Sequence, residues 1–250
     1  MLSIVVVSHG HERFFDAQVA SILEHCEVNF QLIVVDNLND GGFFRERLSS
    51  MGVDYIVSSN VRTKSFSENN NFGVSLAVYD NILILNPDTY FIDDSVFSYV
   101  ANHGVSDGLF FPTLLNTDLT VQSSSRAKPN LFSQVFRLIM KRAFNREMIA
   151  NGDYWFFGAA ILCKKSFFYQ VGGFDENFPM YAEDAELCDR VRKLNYAVEQ
   201  LETVRLVHHL GGEAKARYLK KAIISNIYYR YKSALNSCRR IRRLYRDKAE

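Results

Sequence analysis

The segment Leu85 to Tyr90 (LNPDTY) has the residue types of a divalent-cation site and directly follows the apolar run NILIL. Asp88 lies just beyond this predicted strand, with a second oxygen donor at Asn86. Mg²⁺ and Mn²⁺ take oxygen ligands, commonly one or two carboxylates together with substrate phosphates. The alternative is an ordinary Asn-Pro-Asp turn, which this short motif alone favours.

A second acidic pair, Glu183 and Asp184, opens a predicted helix that runs to about Leu194. At a helix N-terminus the macrodipole stabilises carboxylates in their ionised form. An ionised carboxylate held in one orientation can accept the proton of an attacking hydroxyl group. Acidic residues are common in first turns for structural reasons alone. The preceding segment GGFDENFPMY, however, indicates a specific turn that directs this helix start.

Polar residues also stand where predicted strands end. Asp36 ends the run QLIVVD, where its carboxylate could accept hydrogen bonds from a nucleotide base or a ribose hydroxyl. A helix cap is an equally open interpretation of Asp36. Ser8 and Asn60 follow two other predicted strands. His208, in the segment VHHLGG, can ligate a metal or donate to a phosphate, and an ordinary surface histidine is the default alternative.

Short β-branched runs alternate with helical periodicity along the chain, which predicts an α/β fold. This order implies a right-handed, mostly parallel sheet with helices on both faces. Ligands bind at the carboxyl ends of the strands in such sheets, which are where the polar residues stand. The GxGxxG fingerprint and the P-loop motif are both missing. Strands are predicted at 3–8, 31–36, 53–58, 81–85, 108–115, 119–123, 154–164 and 197–208, and helices at 13–25, 43–51, 68–79, 131–144, 183–194 and 214–236.

Composition excludes several classes of protein. The 250 residues are 48% hydrophobic and 23% charged, which excludes general disorder and allows one large domain with an appendage. No apolar run approaches the roughly 18–20 residues that span a bilayer, and the N-terminus lacks the pattern of a signal peptide. Four scattered cysteines fit a reduced cytosolic chain better than a disulfide framework or a zinc site.

The net charge of +1 hides a strong asymmetry. Residues 214–250 carry 12 basic residues against two acidic ones, a net charge of +10, so the remaining residues sum to −9. The basic residues are interleaved with Ile, Leu and Tyr, which favours an interfacial helix drawn to anionic lipid. A helix packed on the body or at a dimer contact is the second interpretation. Nucleic-acid binding is disfavoured.

Six segments taken together resemble family 2 glycosyltransferases, the inverting enzymes of the GT-A fold, and most of all their rhamnosyltransferase-type branch. The resemblance runs from about residue 2 to residue 213. It is carried in chain order by VVVSHG, VVDNLND, SENNNFG, LNPDTY, GGFDENFPMYAEDAELCDR and VHHLGG.

The resemblance implies a role for each candidate residue. Asp184, next to Glu183, would be the general base, and Asp36 would recognise the nucleotide base. Asn86 and Asp88 occupy the place of the DxD metal motif, which implies Mg²⁺ or Mn²⁺ with Asp88 and His208 as ligands. The remaining expected substrate contacts are Ser8, Asn60, Asn70, Trp155 and Arg190. Three departures stand out: Asn86 replaces the first Asp, the usual glycine-rich approach to NNNFG is missing, and Glu213 stands where Ser is common.

The function implied is transfer from dTDP-rhamnose or a UDP-sugar to a hydroxyl of a bacterial surface glycan carried on polyprenyl diphosphate. Residues 1–213 would form the transferase domain and 214–250 a basic helical tail. That tail would hold the protein peripherally on the cytoplasmic face of the inner membrane, and a homodimer is a further expectation. The competing functions are a non-catalytic nucleotide-sugar-binding protein of the same fold and a Rossmann-type oxidoreductase.

Overall fold

The computed structural model describes residues 1–127, 154–209 and 219–246, with side chains of the last helix described for residues 221–234. The first part of the chain alternates strands and helices. The elements in chain order are β1 (Leu2–Ser8), α1 (Glu12–His25), β2 (Phe30–Asp36), α2 (Gly42–Ser49), β3 (Asp54–Ser59), α3 (Phe66–Ser75), β4 (Asn81–Leu85), β5 (Thr89–Phe91), α4 (Ser95–His103) and β6 (Gly108–Leu115).

The second part adds short strands and three helices. These are β7 (Ser125–Ala127), β8 (Tyr154–Phe156), β9 (Ala160–Lys164), α5 (Lys165–Gln170), α6 (Glu183–Lys193), β10 (Ala197–His208) and α7 (Leu219–Arg246). Among the helices that the structure describes, none is both long and apolar enough to cross a membrane.

Eight strands form one sheet in the order β3-β2-β1-β4-β9-β6-β10-β5. Strands β1, β2, β3 and β4 pair in parallel, as do β6 and β10. Strand β9 is antiparallel to β4 and β6, and β5 is antiparallel to β10. A separate two-stranded sheet joins β7 to β8. The predicted mostly parallel α/β sheet is therefore confirmed.

Both faces of the sheet are covered, which explains why its strands are apolar throughout. Ile4 and Val6 point into a core shared with α1, α2 and α4, whereas Val5 between them points into a second core shared with α3, α5 and α6. Alternation of side chains across a strand sends neighbouring residues to opposite faces. Every residue of β1 except Val7 is buried.

Two sequence predictions differ from the structure. The predicted strand 119–123 is a turn followed by a single bridge from Val121 to Leu115. The predicted strand 154–164 is divided by a turn into β8 and β9, which belong to different sheets. The break was missed because apolar residues continue on both sides of Gly158, so the run gives no change of periodicity. The short elements β5, β7, α4 and α5 were not predicted, and the predicted helix 131–144 lies outside the described residues.

The C-terminal helix α7 packs against the body next to the start of α6. Ser225 Oγ donates to the carbonyl of Met180 at 2.6 Å, and the buried ring of Tyr229 joins a small apolar cluster with Phe178 and Ala182. Lys232 Nζ lies 2.5 Å from Asp175 and 2.8 Å from Glu186. Of the helix predicted at 214–236, residues 214–218 lie outside the described residues, and the described part is helical from Leu219 and continues to Arg246.

Candidate active site

The strand register aligns the predicted site residues along one edge of the sheet. Ser8 pairs with Asp36 at the ends of β1 and β2, and Asp36 pairs with Ser59 at the end of β3. Strand β4 ends in the same direction at Leu85, directly before Asn86. The carboxyl-edge position expected from the sequence is thus the observed one for these strands.

Asp36 organises the loop that follows it. Its Oδ1 accepts from the backbone N–H groups of Leu38 and Asn39 at 3.1 Å each, and its Oδ2 accepts from Gly41 at 3.2 Å. The side chain is buried, and Gly41 has a φ of 78°, which glycine adopts without strain. Asp36 therefore holds the loop between β2 and α2 without capping the helix itself, whose N-cap Gly41 receives no side-chain hydrogen bond. Its contact with a nucleotide base stays a prediction.

Three side-chain amides tie the ends of β2 and β3 to the start of α3. Asn60 Nδ2 donates to Asn37 Oδ1 at 2.9 Å and to Asn69 Oδ1 at 2.5 Å. The motif predicts a substrate contact for Asn70. Asn70 is buried, however, and donates to the carbonyl of Phe66 one turn earlier at 2.9 Å. Of the two neighbours, Asn69 is the one that the structure brings to Asn60.

Ser8 closes the first strand-end turn. Its buried Oγ accepts from the backbone N–H of His11 at 3.3 Å, and its carbonyl accepts from Asn37 at 2.9 Å. The loop after β1 and the loop after β2 are thereby joined. A substrate contact of Ser8 stays a prediction.

The Asn86–Asp88 turn is held from inside the protein. The backbone N–H of Asn86 donates to the carbonyl of Ala159 at 2.8 Å. The carbonyl of Asn86 accepts from the fully buried Gln18 Nε2 at 2.8 Å and from Thr89 Oγ1 at 2.6 Å. These bonds fix the backbone on both sides of Asp88, so the position of its carboxylate is set by the fold.

Asp88 and His208 face each other across this edge. Asp88 Oδ1 lies 3.5 Å from His208 Nε2, and both side chains are more than 90% buried. The antiparallel pairing of β5 with β10 places His208 opposite Thr89, and the N–H of His209 donates to the carbonyl of Asp88 at 2.9 Å. The two residues predicted as metal ligands are thus brought together from 120 residues apart in the sequence.

This pair fits a catalytic divalent cation. One carboxylate and one imidazole are ligands that Mn²⁺ accepts, and the remaining coordination positions would go to diphosphate oxygens and water. Within the described residues, no group of three or more His, Cys, Asp and Glu side chains could enclose a metal by itself. A site of this kind therefore needs its substrate to complete the coordination.

The carboxylate of Asp184 is oriented by two backbone donors. Its Oδ2 accepts from Gly158 at 3.1 Å and its Oδ1 accepts from the N–H of Ala185 at 2.8 Å. Tyr181 and Ala182, which lead into α6, both have a φ of 69°, a left-handed conformation that is strained for residues with a side chain. Strain of this kind persists only where the surrounding structure enforces it. Here the two residues set the direction in which α6 begins.

The neighbouring acids Asp184 and Glu183 differ in burial and in pKa. Desolvation raises the pKa of Asp184 to about 6, although the bonds from Gly158 and Ala185 oppose the rise. Desolvation, and then the charge of Asp184, raise the pKa of Glu183 as well. Asp184 keeps part of its surface exposed, whereas Glu183 is buried and its Oε2 has no hydrogen-bond partner among the described residues. Asp184 is therefore the acid that an acceptor can reach.

Arg190 has a structural role in this structure. Its guanidinium donates to Glu186, to the carbonyl of Val171 and to the carbonyl of Gly173, the last at 2.7 Å. These bonds join the middle of α6 to the turn Gly172–Gly173 that precedes it. A direct contact of Arg190 with substrate, as the sequence implied, stays a prediction.

Trp155 lies beside the start of α6. Its ring packs against the cluster that contains Phe178 and Ala182, and its indole N–H has no partner among the described residues. It pairs across β8 and β7 with Arg126. A contact of Trp155 with substrate, as the sequence implied, stays a prediction.

Three contributing residues were missed in the sequence. Gln18 supports the Asn86 turn, Gln122 contacts the ring of His208 at 2.8 Å, and Arg126 is the positive charge that acts on the pKa of Asp184. Isolated glutamines belong to no motif, and Arg126 lies outside every predicted strand and helix. Their positions depend on contacts between segments that are distant in the sequence, and no motif records such contacts.

Comparison with known proteins places this geometry in a family. Residues 2–250 match the family described as "Glycosyltransferase like family 2". The rhamnosyltransferase WbbL of Escherichia coli K12 is 28% identical over 239 residues, which cover 88% of each protein. The N-acetylglucosaminyl-diphospho-decaprenol L-rhamnosyltransferase of Mycobacterium tuberculosis is 27% identical over 146 residues, 53% of this chain and 48% of that protein. The chain thus spans about half of this second relative.

Solved structures show the same fold at low sequence identity. GalNAc-T7 with UDP, GalNAc and Mn²⁺ superposes with a TM-score of 0.65 and 13% identity, covering 89% of this chain and 47% of that one. The mannosyltransferase of Pyrobaculum calidifontis with GDP-Man and Mn²⁺ gives 0.63 and 13%, covering 92% and 64%. Together with the family match over almost the whole chain, the fold and the arrangement of Asp88, His208 and Asp184 lead to one conclusion: this chain belongs to glycosyltransferase family 2 and is a glycosyltransferase of the GT-A fold.

Proposed function

We propose that the chain transfers a sugar from a nucleoside diphosphate to a hydroxyl of a lipid-linked glycan, in one displacement that inverts the anomeric carbon. One observation carries the mechanism. The segment Gly158–Ala159 bonds Asn86 through the carbonyl of Ala159 and bonds Asp184 through the N–H of Gly158. The turn that carries Asp88 and the carboxylate of the base are therefore held by two adjacent residues.

Each group then has a defined task. Asp184 accepts the proton of the acceptor hydroxyl as its oxygen attacks the sugar carbon, a contribution of roughly 10²- to 10⁴-fold in rate. Asp88 and His208 would hold Mg²⁺ or Mn²⁺, and a bound cation would neutralise charge that develops on the departing diphosphate. Glu183, buried beside Asp184, has a pKa raised to about 8 and keeps its proton near neutral pH, so Asp184 is the ionised member of the pair.

The donor and acceptor are proposed from the relatives. Two relatives are named rhamnosyltransferases, and one of them acts on a diphospho-decaprenol glycan by its name. Haloferax volcanii Agl10, 24% identical over 83% of this chain and 67% of that protein, is named a hexosyltransferase. We therefore propose dTDP-rhamnose or a UDP-sugar as donor and a glycan on polyprenyl diphosphate as acceptor.

A donor panel tests this function. The thermal shift of the full chain is measured with dTDP-, UDP- and GDP-sugars, with and without Mn²⁺, followed by transfer to a polyprenyl-diphosphate-linked acceptor. We expect one sugar nucleotide to stabilise the protein in the presence of Mn²⁺ and to be consumed. EDTA should abolish the transfer. Binding without turnover would indicate the non-catalytic alternative, and stabilisation by NAD alone would indicate an oxidoreductase.

A second proposal concerns where the reaction takes place. We propose that residues 1–213 form the transferase domain and that 214–250 hold it on the anionic, cytoplasmic face of the inner membrane. Helix α7 buries Ser225 and Tyr229 against the body. Its opposite face carries an apolar stripe with exposed fractions of 51–63%, formed by Ile223, Ile224, Ile227 and Tyr231. Basic residues continue along the helix as RRIRRLYR.

The charge supports lipid as the occupant of this apolar stripe. An exposed apolar face gains by insertion between headgroups, and each well-placed Lys or Arg adds about 1 kcal/mol at an anionic surface. A neutral protein partner would not require a net charge of +10 in residues 214–250. The lipid-linked acceptor is itself confined to such a surface, which makes the location useful for catalysis.

Vesicle co-sedimentation of the full chain tests the membrane contact. Wild type should pellet with vesicles that contain phosphatidylglycerol and less with phosphatidylcholine alone. The double variant Ile223→Ser/Ile227→Ser should lose most binding, whereas Val78→Ser, at an apolar residue of the body with a similar exposed fraction of 64%, should keep it. Equal pelleting of all three would overturn the proposal. A dimer in light scattering that the double variant abolishes would assign the stripe to a subunit contact.

A further inference from the structure

We propose that Gln122 is a positioning residue that fixes the tautomer of His208, so that its Nε2 lone pair faces Asp88. This inference rests on the metal site of the proposed function. It depends on a chain of hydrogen bonds whose direction is determined at its far end, at Asp118. No motif in the sequence pointed to any member of this chain.

The direction begins at a group that can only accept. Asp118 accepts from the hydroxyl of Thr120 at 2.5 Å and from the Thr120 N–H at 3.0 Å, and these bonds hold the pKa of its carboxyl below its usual range. The hydroxyl of Thr120 has one proton and donates it to Asp118. Its Oγ1 therefore accepts the hydrogen bond from Asn116 Nδ2 at 3.0 Å.

The side-chain amides of Asn116 and Gln122 continue this chain of hydrogen bonds in one direction. Once Asn116 donates with Nδ2, its Oδ1 faces Gln122 and accepts from Nε2 at 3.0 Å. Gln122 Nε2 also points to the carbonyl of His208 at 3.4 Å, so two acceptors surround it and its Oε1 is turned to the imidazole. Nδ1 of His208, 2.8 Å from Oε1, must then carry the proton.

The consequence is a lone pair aimed at the metal position. A neutral imidazole has one N–H, so Nε2 is left as an acceptor, 3.5 Å from Asp88 Oδ1. Two acceptors that face each other at this distance favour a cation between them. Metal-binding histidines commonly donate their other N–H to an oxygen in this way, and loss of such a partner costs about 10–100-fold in metal affinity.

The backbone places Gln122 for this task. Its N–H donates to the carbonyl of Leu114 at 2.8 Å, and Val121 bridges to Leu115, so the residue is anchored on β6 beside β10. The turn between them contains Leu119 with a φ of 63°. The segment predicted as a strand at 119–123 is instead a turn, and it brings Gln122 against the side chain of His208.

The experiment compares two substitutions of Gln122 in the full chain. Gln122→Met keeps the length of the side chain and removes the acceptor, whereas Gln122→Glu keeps an oxygen toward Nδ1. Gln200→Met is the matched control, since Gln200 also bonds across β6 and β10, to Thr113 Oγ1 at 3.1 Å. The ¹⁵N spectrum of the imidazoles, assigned with His208→Gln, reports the tautomer without metal, and Mn²⁺ titration reports affinity.

Wild type and Gln122→Glu should show the Nδ1–H tautomer of His208, and Gln122→Met should shift toward Nε2–H and bind Mn²⁺ about 10–100-fold more weakly. Gln200→Met should match wild type in both measurements. Wild-type tautomer and Mn²⁺ affinity in Gln122→Met would overturn the inference. If wild type itself binds no Mn²⁺, the metal in the proposed function fails, while the metal-free spectra still decide the role of Gln122.

Discussion

At the scale of single residues, two adjacent carboxylates have different environments and therefore different roles. Asp184 is held by two backbone N–H groups and keeps contact with solvent, whereas Glu183 is buried without a partner for Oε2 among the described residues. Position along the sequence does not distinguish them. The turn at Gly158 does, because it supplies a donor to one acid only.

Asp184→Asn should reduce sugar transfer by roughly 10²- to 10⁴-fold and leave donor affinity nearly unchanged, because the amide keeps the shape but cannot accept a proton. Transfer kinetics and calorimetric donor binding measure the two effects. Asp189→Asn on the same helix, whose partner is Lys193 at 2.6 Å, is the control and should remain active. Near wild-type turnover of Asp184→Asn would remove Asp184 from the role of base.

The pH dependence follows from the raised pKa of Asp184. A base must be ionised, so kcat/KM should rise as the pH increases through about 6 and level off above it. The profile of wild type between pH 5 and pH 8 checks this. An ordinary aspartate would give no change in this range, and a flat profile would contradict the assignment.

At the scale of elements, α3 shows what the motif NNNFG does in the structure. Asn71 bonds to the turn before α6, where its side chain accepts from the N–H of Phe174 and donates to the Phe174 carbonyl, at 2.9 Å each. The glycine of the motif permits close packing, since a Cβ on Gly73 would lie 2.4 Å from Val5 Cγ1. The motif therefore seats the helix on β1 and β2.

Gly73→Ala should destabilise the protein by about 1–3 kcal/mol, because overpacking against β1 exceeds the gain in helix propensity. For a chain of this size the melting temperature should fall by roughly 2–4 °C per kcal/mol. Val5→Ala, which removes the opposing methyl groups, should recover part of the loss in the double variant. Ser75→Ala, at an exposed position of the same helix, should change the melting temperature little.

The accuracy of the sequence predictions also differs by element. Strands β1 to β4 were predicted closely, because β-branched runs separated by helical periodicity leave few alternatives. Asp36, Asp88 and Asp184 were selected as candidates because motifs and strand ends mark them, and their roles stay predictions. Gln122 was not, because its role arises from a bridge between Val121 and Leu115 that leaves no periodic signal.

At the scale of the whole molecule, helix α7 connects the outer surface to the active-site region. Lys232 contacts both Asp175, in the turn before α6, and Glu186, within α6. Glu186 in turn binds Arg190, which holds the glycine turn. Helix α7, whose outer face is proposed to meet lipid, is therefore joined through Lys232 to α6, whose first turn contains Asp184.

Lys232→Met should loosen α7, because it leaves the carboxylates of Asp175 and Glu186 without their shared cation. We expect a lower melting temperature and faster tryptic cleavage within residues 219–246. Lys193→Met, which removes a more exposed lysine on α6, is the control and should leave cleavage unchanged. If cleavage is as slow in Lys232→Met as in wild type, the attachment of α7 depends on its apolar contacts alone.

The residue types and their order determined the fold class, the edge of the sheet where the candidate site residues lie and the opposite charges of body and tail, because hydrophobic periodicity and motif spacing are local properties. The tertiary structure alone decided which polar groups meet. It brought Asp88 to His208, joined Asn60 to Asn69 rather than Asn70, and placed Gln122 behind the imidazole. Such contacts depend on register and on turns between distant strands, and no local pattern of residues specifies them.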